Sequence, residues 1–179
     1  MSQHKVLVSA CLLGERVRYD GSSRPVAHDI LEQWKAEQRI VSVCPETLGG
    51  LLVPRPAAEI ESGFDGQDIV QEKGKVITKQ GHNLSQYFVR GARRTLDIAN
   101  GQDIKVAILK ANSPSCGNEH IYDGQFARQT KSGMGVTVAT LIGAGIKVFN
   151  EHQLDAAQAY LLTLETIAEQ TQDSTEAAI

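Results

Sequence analysis

Lys5-Val6-Leu7-Val8-Ser9-Ala10-Cys11 is the stretch whose reading decides the fold. Its apolar and β-branched side chains follow one another without polar alternation, which predicts a strand buried on both faces rather than one half-open to water. Residues 39–44 (RIVSVC), 104–110 (IKVAILK) and 146–150 (IKVFN) read the same way. Between these runs the apolar spacing turns helical. Residues 25–38 place Val26, Ile30, Leu31 and Trp34 on one face, with Pro25 suited to a first helical position. Residues 83–100 carry Leu84, Tyr87, Phe88, Ala92, Leu96 and Ala99 in the same way and stop at Asn100-Gly101. Residues 136–142 and 154–170 predict two more helices. Asp68-Ile69-Val70 and Lys75-Val76-Ile77, parted by Glu72-Lys73-Gly74, suggest a small hairpin. Strand and helix alternate, so the expected class is α/β: a single compact, Rossmann-like domain over residues 1–170 with a mostly parallel sheet flanked by helices, and a flexible tail over 171–179.

The composition agrees. The chain has 179 residues, enough for one domain, with a net charge of −3 and 41% hydrophobic residues, which fits a soluble globular protein and excludes disordered and collagen-like chains. Nothing in the charge balance resembles the basic excess of a duplex-binding domain, so extended nucleic acid is not the expected partner. Val8-Ser9-Ala10-Cys11 imitates a lipoprotein cleavage box, but only Val6 to Ala10 lies between Lys5 and the cysteine, short of the roughly 7–15 apolar residues a secretory signal carries. The expected location is the cytoplasm, away from the membrane.

Cys11, Cys44 and Cys116 are the only cysteines, an odd number spread along the chain that makes a poor disulfide framework and points to free thiols. Cys11 and Cys44 end the first and second predicted strands, and Cys116 lies in the loop after the third. Ligands of open α/β sheets bind outside the carboxyl ends of the strands, so three loops with one thiol each converge on the expected site. A buried cysteine is often only a small hydrophobe, yet the flanks here are not those of a core. Cys44-Pro45-Glu46 sets a carboxylate beside a thiol, and Ser113-Pro114-Ser115-Cys116-Gly117 surrounds another with hydroxyls. Three thiolates suit a soft metal, zinc or an iron–sulfur cluster, although no C-x-x-C spacing marks a zinc ribbon or a ferredoxin. On a four-iron cluster they leave one iron without a protein ligand, which favours catalysis over electron transfer.

Cys11-Leu12-Leu13-Gly14 with Val17-Arg18-Tyr19-Asp20-Gly21, Cys44-Pro45-Glu46 with Gly49-Gly50-Leu51 and Pro54-Arg55, and Lys110 with Ser113-Pro114-Ser115-Cys116-Gly117 resemble the thiouracil desulfidases. The resemblance runs from about Val6 to Glu151. It implies a [4Fe–4S] cluster on Cys11, Cys44 and Cys116, and a small thiolated nucleobase such as 2- or 4-thiouracil whose sulfur binds the remaining iron and leaves without net redox change. It also implies a glutamate and a serine beside the cluster, at Glu46 and Ser113, with Ser115 the rival for the serine. Arg18, Tyr19 and Asp20 are candidates for contacting the pyrimidine or for holding their own loop. One departure is Asn83-Leu84-Ser85, where the family carries an Asp-Val-Thr-like helix start; Asn83 can still cap that helix.

The other motifs weigh towards structure. Arg55 and Glu59 are expected to form a structural ion pair, with Arg55 alternatively offsetting the negative charge of a thiolate-ligated cluster. Gly133-Met134-Gly135 opens a helix that packs near the cysteine loops, with its first amides available to an anion, and His28, His82 and His152 have no partner in sequence. Two rival functions stay open at this point. One is a metal or iron–sulfur sulfur carrier or sensor, which gives Glu46 no essential task. The other is a cluster-free hydrolase with a cysteine nucleophile, which needs a histidine base within reach; only His120 lies near a cysteine in sequence.

Overall fold

The computed structural model describes residues 3–176. In chain order the elements are β1 (Val6–Ser9), α1 (Asp29–Ala36), β2 (Ile40–Val43), α2 (Pro45–Leu48), β3 (Ala58–Ile60), α3 (Gly66–Val70), β4 (Val76–Thr78), α4 (Ser85–Gly101), β5 (Val106–Leu109), β6 (His120–Tyr122), β7 (Thr130–Ser132), α5 (Val136–Gly143), β8 (Lys147–Asn150) and α6 (Leu154–Glu176). The four apolar runs form one parallel sheet in the order β2-β1-β5-β8, with Val6 opposite Ile40 on one side and Val106 on the other.

Successive side chains of a strand point to opposite faces, and here both faces are covered. Val6, Val8, Val106 and Ile108 pack with Leu31, Trp34, Leu154 and Leu161 of α1 and α6. Leu7, Ala107 and Leu109 pack with Ala99, Val138 and Leu141 of α4 and α5. That double cover is why the runs show no alternation. Burying each large side chain contributes about 1.5–3 kcal/mol. Trp34, fully buried, also keeps its one polar group satisfied by donating to Gln158 Oε1 at 2.7 Å.

The chain leaves β1 for β2 on one side and returns to β5 on the other, so strand order reverses between β1 and β5. A crevice opens at the carboxyl ends of the strands at such a reversal. Over it lies a smaller unit, the antiparallel pairs β3-β4 and β6-β7 with α3, built around Ile60, Ile69, Val76 and Ile121.

Four expectations are corrected. The first helix begins at Asp29 rather than Pro25, because the His28 side chain accepts the Ile30 N–H and caps it. Residues 68–70 are helix, not a hairpin arm. Asp65 accepts from the Gln67 and Asp68 amides while Asp68 accepts from the Asp65 amide, a reciprocal cap that starts α3. The second expected arm, Lys75-Val76-Ile77, does fall on a strand, β4 over Val76–Thr78, but its partner is β3. The third correction is to the end of the last helix: expected over 154–170, it continues as α6 to Glu176, and 177–179 lie outside the described residues. Asn83 does not occupy the cap of α4, which falls on Leu84 without a side-chain bond; it stands one residue earlier and accepts the Ser85 N–H at 2.9 Å. Among the described residues no helix is long and apolar enough to cross a membrane.

Candidate functional site

The three cysteines are delivered by the ends of β1, β2 and β5. After β1 a single 3-10 turn, Ala10–Leu13, carries Cys11, and its carbonyl accepts from the Arg24 amide at 2.9 Å. Cys44 precedes α2, whose first residue is Pro45, a position that needs no backbone donor. After β5 the Ser113 Oγ accepts the amides of Ser115 and Cys116, both at 3.1 Å, and winds 113–117 into a compact turn. All three thiols are free and line one cavity of about 620 Å³.

Helices fix these loops by close backbone approach. A side chain at Gly91 of α4 would run into the Pro45 carbonyl, and one at Gly49 into the Tyr87 carbonyl. Arg94 and Arg90 then donate to the Leu48 and Gly49 carbonyls at 2.6 and 3.2 Å, tying α2 and its Glu46 to α4. On the other side Gly135 lies against the Ser115 backbone with no room for a Cβ. The amides of Gly135, Val136 and Thr137 donate to the carbonyls of Gly117, Pro114 and Ser115 at 2.8–2.9 Å. The glycine-led helix therefore packs on the cysteine loop as expected, but its first amides hold that loop and are not open to an anion.

Glu46 lines the cavity and is ion-paired to Arg55, whose Nε and Nη2 reach the same oxygen, Oε2, at 2.8 and 2.7 Å. Arg55 also donates to the Val17 carbonyl at 3.0 Å and the Leu52 carbonyl at 3.1 Å, bracketing the loops after β1 and β2. The expected Arg55–Glu59 pair is thus replaced by Arg55–Glu46. Glu59, only 7% exposed, instead accepts two loop amides and lines the same cavity. Sequence reading missed it as a cavity residue because β3 brings it there from outside every cysteine motif; its one signal was a charged residue inside an otherwise apolar short strand.

Of the other candidates, Arg18, Tyr19 and Ser113 line the cavity. The Ser113 oxygen already accepts two amides, which leaves its hydroxyl proton to donate. Ser115 is 1% exposed, shares a 2.8 Å hydrogen bond with Thr137 and is not among the lining residues. Asp20 is likewise outside the lining and bonds Ser22, whose hydroxyl and amide hold its carboxyl below the usual range.

The electrostatics ask what the thiols were built to hold. Burial pushes Cys11 from an ordinary 9.0 up to about 11, opposed by Arg18 and, less strongly, Lys110. Burial pushes Cys116 higher still, with Glu46, Cys44 and Cys11 adding to it and the Ser115 hydroxyl opposing. The three sulfurs therefore feel one another and Glu46. Yet among the described residues no three histidine, cysteine or acidic side chains gather closely enough for a single metal ion. Thiolates around one zinc lie about 3.8 Å apart, the edge of a tetrahedron with 2.3 Å bonds. Thiols set around a cavity rather than a point suit a polynuclear cluster, one thiolate per iron. Arg18 Nε is buried with no hydrogen-bond partner, a donor beside Cys11 that an anionic cluster would satisfy. Lys110, held by Glu151 at 2.5 Å, adds a second cation. The donor set fits a [4Fe–4S] cluster.

The raised Cys11 predicts a pH effect on the cluster-free protein. Between about pH 9 and 11 the unfolded thiol has lost its proton and the folded one has kept it, so stability falls as pH rises through that window and is unaffected below it. The loss should reach about 3 kcal/mol, at 1.36 kcal/mol per pH step. Urea midpoints at pH 8 and 11 measure it, and Cys11→Ala should remove that share of the slope. An unchanged slope would show that the thiol's burial costs nothing on ionisation.

Among the described residues no histidine lines the cavity; His120 lies exposed on β6. A model of the 2-thiouracil desulfurase family matches residues 6–153. The chain is 39% identical over 150 residues to the uncharacterized protein YbbK of Bacillus subtilis (strain 168), covering 84% of this chain and 97% of that one. Its fold matches a solved structure of the [4Fe–4S]-dependent thiouracil desulfidase TudS with a TM-score of 0.81 and 41% identity, over 90% of this chain and 99% of the other.

Proposed function

Since this chain belongs to the 2-thiouracil desulfurase family, we propose that it desulfurates thiolated pyrimidines by hydrolysis, with Glu46 as base, Ser113 as hydroxyl donor and Cys11, Cys44 and Cys116 as cluster ligands. It is a [4Fe–4S]-dependent thiouracil desulfidase. The observation that carries the residue roles is the meeting of one thiol from each of three strand ends with Glu46 and Ser113 around one cavity.

When bound, the cluster supplies one iron free of protein ligands, a soft Lewis acid for a thiocarbonyl sulfur. The rest belongs to the chain. Arg18 and Lys110 offset the negative charge of the thiolates. Arg55 occupies Glu46 Oε2, leaving Oε1 to take a proton from a water attacking the ring carbon. Ser113 holds the ring or passes a proton to the departing sulfur. Water adds oxygen to the carbon, the carbon–sulfur bond breaks with its electron pair on sulfur, and hydrosulfide and uracil result with no oxidant or reductant consumed. A cysteine-nucleophile hydrolase finds no support, because among the described residues no imidazole base lines the cavity.

Protein reconstituted without oxygen should hold about four irons and four sulfides per chain, the content of one cubane. It should convert 2- or 4-thiouracil to uracil with one hydrosulfide released per turnover, read by loss of the thiocarbonyl absorbance. Zinc alone, or no iron after reconstitution, would overturn the cluster; turnover requiring added reductant would overturn hydrolysis.

A further inference from the structure

Among the described residues Glu59 is the one carboxylate in the cavity wall besides Glu46, and that mechanism gives it no task. It sits on β3, 7% exposed, with no ion pair. Its Oε2 accepts two amides of the β6-β7 loop, Gly124 at 2.9 Å and Phe126 at 3.1 Å. Those bonds pin a loop whose Phe126 and Arg128 both adopt left-handed backbone (φ 56° and 60°) and both line the cavity. The other oxygen, Oε1, has no hydrogen-bond partner, yet it is not among the buried polar atoms shut away without one. A carboxylate this buried in a cavity wall, with one oxygen spent on the loop and the other unpaired, is an acceptor awaiting a donor.

We propose that Glu59 is a specificity-determining residue that reads the pyrimidine N3–H through Oε1 while Oε2 holds the Phe126 loop against the ring. This rests on the desulfidase reading above and names what orients its substrate. N3–H adjoins the thiocarbonyl carbon in both 2- and 4-thiouracil and persists when N1 carries a substituent, so one acceptor serves every such substrate. The cations of the wall, Arg18, Arg24, Arg55, Lys110 and Arg128, can only donate, so they cannot recognise an N–H.

The test uses Glu59→Gln in the reconstituted holoenzyme. The glutamine oxygen keeps both loop amides, and its NH2 then faces the ring as a donor where an acceptor stood. KM for thiouracil should rise roughly tenfold to a hundredfold, the range for a lost hydrogen bond to a charged group. The kcat should stay within about threefold, the pattern of lost uniform binding, and iron content should not change. Binding of uracil and 3-methyluracil, which needs no sulfur chemistry, gives the second readout by titration calorimetry. Wild type should prefer uracil by a similar factor, and Glu59→Gln should lose the preference. Phe126→Leu, with Glu59 intact, should weaken both ligands alike. If Glu59→Gln binds thiouracil as wild type does, or wild type fails to distinguish the methylated ring, the proposal is wrong. A wild type that does not desulfurate thiouracil at all would instead sink the functional reading.

Discussion

Cys44→Ala is expected to yield a folded protein that cannot keep its cluster, with desulfuration lower by more than about a hundredfold, the upper end of what losing even an outer-shell partner of a metal costs. Of the three thiols this one separates folding from ligation most cleanly. Cys11 and Cys116 are buried, and removing either leaves a void in packed surroundings. Cys44 is only half-buried; it precedes α2 without a capping bond from its side chain, and its one polar contact is a long 3.9 Å approach to the Val17 carbonyl. Alanine therefore removes a ligand and little else. Circular dichroism and the thermal midpoint of the cluster-free variant should match those of cluster-free wild type, while iron, labile sulfide and visible absorbance fall together. A variant that retains about four irons, the full content of one cubane, and full turnover would remove Cys44 from the ligand set.

Glu46→Gln should do the opposite, leaving iron, sulfide and spectrum at wild-type levels while kcat falls about 10²–10⁴-fold, the contribution of a positioned general base. Glutamine fills the same space and can offer its oxygen to Arg55, whose guanidinium is also tied to the Val17 and Leu52 carbonyls, so the bracket between the loops survives. What disappears is the carboxylate oxygen able to take a proton from water. Full activity in Glu46→Gln would reduce Glu46 to the counterion of Arg55. A cluster-bearing carrier or sensor of sulfur also predicts indifference to this change, so the variant decides between enzyme and carrier.

The fold was legible because its signal is local. The short, β-branched and nearly continuous apolar runs at 5–11 and 104–110 read as strands covered on both faces, and the helical spacing between them supplies the cover. The errors fell where local signals conflict. Pro25 marks a helix start in isolation, but the His28 side chain accepts the Ile30 N–H and starts the helix at Asp29 instead. Residues 68–70 look β-branched enough for a strand until the two aspartates around Gly66 are seen to cap one another.

By itself the sequence determined the fold class, the three cysteines at strand ends, and the motifs around them, because strand periodicity and residue type are properties of a few neighbouring positions. The side-chain directions at the site came only with the tertiary structure. Ser113 and Ser115 are two residues apart, and only the packing of α5 turns one hydroxyl onto Thr137 and leaves the other in the cavity. Arg55 lies nearer in sequence to Glu59 than to Glu46, yet it pairs with Glu46 because α4 holds α2 against it while Glu59 is drawn to amides 65 and 67 positions away. Contacts of that separation depend on how sheet and helices stack, and no local pattern of residues encodes them.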